Sequence, residues 1–243
     1  MRARGSHGGD IELDTTGDII FDGGTTRRAY VQIGHGGQDA DIAGSTINGT
    51  IDVTTTGGNI EFSSGTGYQS FSQIGHGGHQ TNFAQGGVNS DITVQATSTA
   101  AGQGNITFTS GNGPAAGGNA SGQEAYSQIG HGGFQSSGDH IGDVTVTAHK
   151  DITFDAGNAT ATTTYVQLGN GGVQARGNHS GDIDVDAQTG NIRFIAGDGA
   201  NSHAQLGHGG LEAGATDNVV GTGNSGDVDV AAGGFINFTA GQG

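Results

Sequence analysis

Short stretches of apolar/polar alternation recur along the chain in two forms. The first comprises Asp10-Ile-Glu-Leu13, Thr50-Ile-Asp-Val53, Asp91-Ile-Thr-Val94, Asp143-Val-Thr-Val146, Asp182-Ile-Asp-Val185 and Asp227-Val-Asp-Val230. The second comprises Asp18-Ile-Ile-Phe21, Asn59-Ile-Glu-Phe62, Asn105-Ile-Thr-Phe108, Asp151-Ile-Thr-Phe154, Asn191-Ile-Arg-Phe194 and Phe235-Ile-Asn-Phe238. A period of two is that of a half-buried strand. Ile183, Val185 and Ala187 fall on one face of such a strand, with Asp184 and Asp186 on the other. A third alternating stretch ends in the hexapeptide Gln32-Ile-Gly-His-Gly-Gly37, repeated at Gln73–Gly78 and Gln128–Gly133. Two variants follow, Gln167-Leu-Gly-Asn-Gly-Gly172 and Gln205-Leu-Gly-His-Gly-Gly210, and the Gln spacings are 41, 55, 39 and 38.

The repeating unit therefore reads strand A, tight turn, strand B, Gly-rich connection, strand C with its hexapeptide, and a variable loop. The sixth unit stops after strand B. One unit has too little apolar surface to fold alone, whereas stacked units pair equivalent strands and bury a continuous column. The pattern predicts an all-β chain, a parallel β-solenoid of about six stacked units forming a single domain over residues 8–243. Its expected core is Ile19, Phe21, Ile60, Phe62, Ile106, Phe108, Ile152, Phe154, Ile192, Phe194, Ile236 and Phe238. A strand separation of about 4.8 Å makes six units a rod of roughly 25–30 Å. The insertions Thr97–Gly104 and Gly111–Glu124 are expected to project from its edges.

In-register stacking turns repeated residues into ladders. A Gln ladder (Gln32, Gln73, Gln128, Gln167, Gln205) is expected to hydrogen-bond along the rod axis. Beside it runs an aromatic ladder, Tyr30, Phe71, Tyr126 and Tyr165, with His203 in the fifth place. Asx residues at 18, 59, 105, 151 and 191 suit the turn before strand B. Acidic residues at 10, 91, 143, 182 and 227 precede strand A. The last ladder is His35, His76, His131, Asn170 and His208. A column of imidazoles can bind Zn, Cu or Ni, but Asn170 is a poor ligand for these and no carboxylate recurs beside it. Stacked imidazolium ions would repel, which makes a pH switch a second reading. The structural reading, in which His and Asn both hydrogen-bond the backbone of a Gly-rich corner, is favoured. Parity places Ile33 and His35 on one side of strand C and Tyr30 and Gln32 on the other. Ile33 is expected inward, and His35 with it unless Gly34 bends the strand.

Composition raises a competing picture. The chain has 243 residues with 52 Gly and 12% charged residues, far more Gly than an ordinary globular domain carries. Such a composition suits disorder, but disordered chains lack regular apolar alternation. The net charge of −16 makes nucleic acid an unsuitable partner. No run approaches the roughly 20 apolar residues that span a membrane, and no cysteine is present for disulfides or thiolate metal sites. Met1–His7 reads as an added leader outside the repeat. No nucleophile elbow, phosphate-binding loop or calcium nonapeptide array occurs, and the acids are distributed with the repeat rather than clustered against it. These features predict no catalytic residues and no cofactor. Two stripes are candidate binding surfaces: the outer face of strand A (Thr93, Thr145, Thr147, Asp52, Asp184, Asp186, Asp229) and the Tyr/Gln stripe of strand C. Ice binding on a Thr face is an alternative function, although Thr gives way to Asp after about two units. A polysaccharide-acting enzyme is a second alternative.

The units Gly181-Asp-Ile-Asp-Val-Asp-Ala187 with Gly190-Asn-Ile-Arg-Phe-Ile-Ala-Gly197, and Gly142-Asp-Val-Thr-Val-Thr-Ala148 with Asp151-Ile-Thr-Phe-Asp-Ala-Gly157, resemble coils of filamentous-haemagglutinin-like and autotransporter-type passengers. The resemblance spans nearly the whole chain after His7. It implies a right-handed parallel β-helix on a large bacterial surface or secreted protein, outside the cell, serving adhesion, biofilm or cell–cell contact. The implied partners are a surface receptor or glycan, and neighbouring repeats or other copies stacked end to end. The hexapeptide lengthens the unit to about 40 residues, beyond the generic coil of that family. The chain reads as a segment of a longer array.

Overall fold

A computed structural model describes residues 8–40, 46–111, 124–157, 162–214 and 223–241, with only the backbone of 83–87. All regular structure among the described residues is β-strand. Strands Ile11–Thr15, Ile51–Thr55, Ile92–Ala96, Val144–Ala148, Ile183–Ala187 and Val228–Ala232 form a six-stranded sheet, here sheet A. Sheet B is Ile19–Asp22, Ile60–Ser63, Ile106–Thr109, Ile152–Asp155, Ile192–Ile195 and Ile236–Thr239. Sheet C is Val31–Ile33, Phe71–Ile74, Tyr126–Ile129, Tyr165–Leu168 and His203–Leu206. Every pairing is parallel and joins successive units in register, as in Val144↔Ile183, Ile152↔Ile192 and Gln128↔Gln167. The chain is a parallel β-solenoid.

A fourth sheet, sheet D, lies where the alternation predicts only a variable loop. Its strands are Asn82–Asn89, Ser137–Ile141, His179–Ser180 and Asn224–Ser225. Its pattern is hard to read because its inward column passes from Ile47 and Val88 to His140, His179 and Asn224. An aliphatic column thus becomes a polar one, and the first pair of strands is also out of step between Ser137 and Asp139. Of the two long insertions, Thr97–Gly104 is a described turn, tied by Lys150 Nζ to the Ala100 carbonyl at 3.0 Å. Most of Gly111–Glu124 lies outside the described residues.

The core forms because alternation turns one face of sheets A, B and C inward. Ile51, Val53, Ile60, Phe62, Ile74 and their equivalents in the central coils are buried in one cluster. Burying one such side chain contributes about 1.5–3 kcal/mol. The Phe column is continuous from Phe21 to Phe238, with near-parallel rings whose centroids are 4.7 to 5.2 Å apart. Its last rung departs from the expected core. Ile236 and Phe238 are 47% and 56% exposed because no coil lies beneath them among the described residues.

The three central strands of sheet C are buried on both faces. Ile33, Ile74, Ile129 and Leu168 face the main core. Phe71, Tyr126 and Tyr165 point outward into a second cluster, capped by Phe134 and Val173. After each hexapeptide the chain doubles back, so the residues that follow cover the strand just made. The aromatic ladder stacks at 4.6 to 5.1 Å from Tyr30 to His203.

Candidate functional site

Buried polar side chains, among them Gln73, His76, Gln128, His131, Gln167 and Asn170, gather at the corner that follows sheet C. Gly34, Gly75, Gly130 and Gly169 all have positive φ, and a Cβ on any of them would run into the glycine carbonyl of the next coil. Only glycine lets the backbones approach so closely there. The Gln ladder exploits that approach. Gln128 Nε2 donates to the Gly169 and Gly171 carbonyls of the next coil at 3.0 and 3.2 Å. Gln73 does the same to Gly130 and Gly132 at 2.9 and 3.1 Å, and Gln32 to Gly75 and Gly77. The bonds run along the rod axis as expected, but the acceptors are mainly backbone carbonyls. The one amide-to-amide contact in this ladder, Gln32 to Gln73, is 3.5 Å long.

His76, His131 and His208 are each bound at both ring nitrogens. The backbone N–H groups of His35 and His76 donate to Nδ1 of the imidazole one coil on, His76 and His131, at 2.9 and 3.0 Å. A donated N–H fixes Nδ1 as the acceptor and so puts the ring proton on Nε2. From there His76 donates to the Gly49 carbonyl at 2.8 Å, His131 to Ser90 at 2.7 Å and His208 to Gly181 at 2.7 Å. His35 Nε2 lies 3.1 Å from the Gly9 carbonyl. Gly34 bends the chain, and each ring spans from the end of sheet C to the start of sheet A. Asn170 reproduces the pattern. Its Oδ1 accepts from His131 N–H at 2.9 Å, and its Nδ2 donates to Gly142 and Ser180 carbonyls at 2.8 and 2.9 Å. Asn fits because a side-chain amide presents the same acceptor and donor as a neutral imidazole.

Burial is the main cause of depressed imidazole basicity here. His76 is pushed down to about 4 and His131 to about 3, with the neighbouring rings adding to the effect. His208 is also lowered, chiefly by burial. A metal column at these positions would have to take the Nδ1 lone pair that backbone N–H groups already occupy. Among the described residues no three His, Asp or Glu side chains converge on one point.

The acidic and Asx ladders stitch the other corners. Asp143 Oδ1 accepts Asp182 N–H at 2.8 Å and Asp182 Oδ1 accepts Asp227 N–H at 2.9 Å. Asp18, Asn59, Asn105, Asp151 and Asn191 each accept the N–H below in the same way, at 2.7 to 3.3 Å. At Asp151, burial would raise the carboxyl's pKa, but the Asn191 N–H and the Arg193 guanidinium hold it below its ordinary value.

Two proposed surfaces fare differently. The Tyr/Gln stripe is interior, since Tyr126, Tyr165, Gln73, Gln128 and Gln167 are fully buried. Only Tyr30, on the first rung, is exposed. The outer face of sheet A is a true surface. Its columns read Glu12, Asp52, Thr93, Thr145, Asp184, Asp229 and Asp14, Thr54, Gln95, Thr147, Asp186, Ala231. Thr93 and Thr145 are the only adjacent threonines in either column, so no broad Thr face forms.

Two features have no counterpart in the sequence reading. One is a surface amide chain from Gln80 to Gln135, Gln174 and Glu212, with bonds of 2.8, 2.6 and 2.7 Å. These residues share a φ of 53 to 57°, and their recurrence two residues after each hexapeptide was the available signal. The other breaks the repeat: Asp39–Arg28–Gln69–Glu124–His79. Arg28 binds Asp39 at 3.2 Å and Gln69 at 3.1 Å, and Glu124 Oε2 accepts from Gln69 at 2.8 Å and lies 3.2 Å from His79 Nε2. Burial would raise the Glu124 carboxyl's pKa, and the bonds from His79 and Gln69 outweigh it and bring it down.

Searched against protein-family models, curated proteins and solved structures, the chain matches none. Its chemistry is therefore read from its own ladders. In those ladders a polar side chain recurs where it joins one coil to the next.

Proposed function

We propose that this chain is a structural, rod-like segment of a large secreted or cell-surface bacterial protein, presenting its loops and edges for adhesion or cell–cell contact. The observation that carries the proposal is the use of the recurrent polar groups. The Gln, His/Asn, Asp and Asx ladders spend their hydrogen-bonding groups on adjoining coils, as a scaffold requires and a reacting site does not. The resemblance to filamentous-haemagglutinin-like coils supports the extracellular setting and a receptor or glycan as partner. Repetition also suits a mechanical role, because each coil contacts only its neighbours and stability adds along the rod.

Two measurements on the full chain test this reading. Pulled from its ends by single-molecule force spectroscopy, the chain should extend in steps of about 40 residues, one coil at a time. Coupled to beads, it should retain cells or glycans without consuming them. Turnover of a polysaccharide, or extension in one featureless low-force event, would overturn the proposal.

A further inference from the structure

One column of side chains on the surface of the rod keeps hydrogen-bonding capacity that faces water. It stands two residues after each hexapeptide and reads Asp39, Gln80, Gln135, Gln174 and Glu212. All five have a φ of 53 to 57°. The backbone N–H groups of the first four donate to the next coil, Asp39 to His79, Gln80 to Phe134, Gln135 to Val173 and Gln174 to Leu211, at 2.7 to 2.9 Å. Those bonds hold each turn in one conformation and set the side chains one rung, about 4.8 Å, apart.

The three amides form one directed chain. Gln80 Nε2 donates to Gln135 Oε1, Gln135 Nε2 to Gln174 Oε1 and Gln174 Nε2 to Glu212 Oε2. A side-chain amide has two N–H donors and two acceptor lone pairs. After these bonds Gln135 and Gln174 each keep one donor and one acceptor. Hydrogen bonds that all run one way and end on a carboxylate polarise one another. Beside the column lies a groove of about 430 Å³, lined by Gln80, Gln135, Ser137, Gln174 and Arg176. Ser137 Oγ donates to Asn82 Oδ1 at 3.0 Å. None of the lining side chains is apolar.

We propose that this groove binds a straight, neutral, β-1,4-linked glycan laid along the rod axis. The site rests on the glycan partner of the proposed function and gives that partner a place and a chemistry. A sugar hydroxyl both donates and accepts, which matches the donor and the acceptor that each amide keeps. An anion uses donors alone, and the carboxylates of Asp39 and Glu212 at the two ends of the column repel it. An apolar peptide finds no apolar wall. Amides one rung apart in a single column call for a ligand that is itself straight and advances by about one unit per rung. An extended β-1,4-linked chain of pyranose rings does so, whereas an α-1,4-linked chain coils away from the column. Side chains already held by their turns and by one another lose little freedom on binding.

The test is calorimetric titration of the full chain with cellobiose, cellotetraose and cellohexaose, with maltohexaose as the coiled comparison and a galacturonic acid hexamer as the anionic one. Affinity should rise from cellobiose to cellotetraose and level off there, because the column from Gln80 to Glu212 spans about 14 Å. Maltohexaose and the anionic hexamer should each bind at least about tenfold more weakly than cellohexaose. Gln135→Asn keeps an amide on a residue that tolerates the positive φ, but draws it back by one methylene and cuts the chain on both sides. It should weaken cellohexaose binding about tenfold without moving thermal unfolding, while Asp184→Thr on the outer face of sheet A should leave binding unchanged. No saturable binding of cellohexaose overturns the proposal, as does a preference for the coiled or the anionic oligomer, or equal affinity in Gln135→Asn. Concentration-dependent association of the rods that Gln135→Asn abolishes also overturns it, since the column then serves a second copy. The scaffold reading fails separately, by loss of coil-by-coil extension, which none of these outcomes touches.

Discussion

Sheet C and the outer face of sheet A pass through the same coils, yet one repeats its residues and the other lets them drift. On sheet C, Gln recurs in five coils and His yields only to Asn, because each side chain completes backbone groups of an adjoining coil. On sheet A, the outward column runs Glu, Asp, Thr, Thr, Asp, Asp. Those side chains face water, and any polar residue serves. Repetition at this corner goes with side chains that hydrogen-bond the backbone of their own and adjoining coils.

The contrast can be broken most severely at the corner glycines. Gly169→Val drives a Cβ into the Gly207 carbonyl at a φ of +135°, and the expected cost exceeds about 4 kcal/mol, seen as loss of the folding transition in denaturant titration. His131→Leu is next. It strips an acceptor from the His76 N–H and a donor from the Ser90 carbonyl, a loss of about 2–5 kcal/mol for two buried groups. His131→Asn should cost less than about 1.5 kcal/mol, because Asn170 already performs the role. An Asn variant as damaging as the Leu variant would contradict the ladder's chemistry.

Acid sharpens the same comparison. His76 and His131 titrate at about 4 and about 3 in the folded chain, against an ordinary value of 6.5. Below 6.5 the unfolded chain takes up protons that the folded one refuses, so acid favours unfolding. The contribution of the two neutral rings is complete above pH 6.5 and is lost as the pH falls towards about 4 and then about 3. Thermal unfolding followed across that window should show a falling midpoint, and His131→Asn should flatten part of the slope. The smallest effect is expected on the outer face of sheet A, where Asp184→Thr should change stability by less than about 0.5 kcal/mol.

Much of the architecture was legible because alternation and spacing agree. Ile-x-Val and Ile-x-Phe stretches have one inward face, and their recurrence fixes which strands pair. Sheet D was hidden because Val88 gives way to His140 and His179 at its inward column, and polar residues carry no strand signal. The burial of Tyr126 and Tyr165 was equally hidden. Parity tells which residues share a face, but not that Phe134 and Val173 return to cover it. At the corner, the exchange of His for Asn was the readable clue, since only a hydrogen-bonding role is common to both.

The central claim is that successive coils lie in register, so that residues alike in sequence are neighbours in space. The chain has no cysteine, which makes disulfide trapping direct. Thr93 and Thr145 are register partners on the outer face of sheet A, and Asp184 is one coil further on. The double variant Thr93→Cys/Thr145→Cys should form an intramolecular disulfide under mild oxidation, because adjacent rungs of about 4.8 Å fall within bonding reach. Thr93→Cys/Asp184→Cys, two rungs apart, should remain reduced. Equal crosslinking of both pairs, or of neither, would contradict the stacked register.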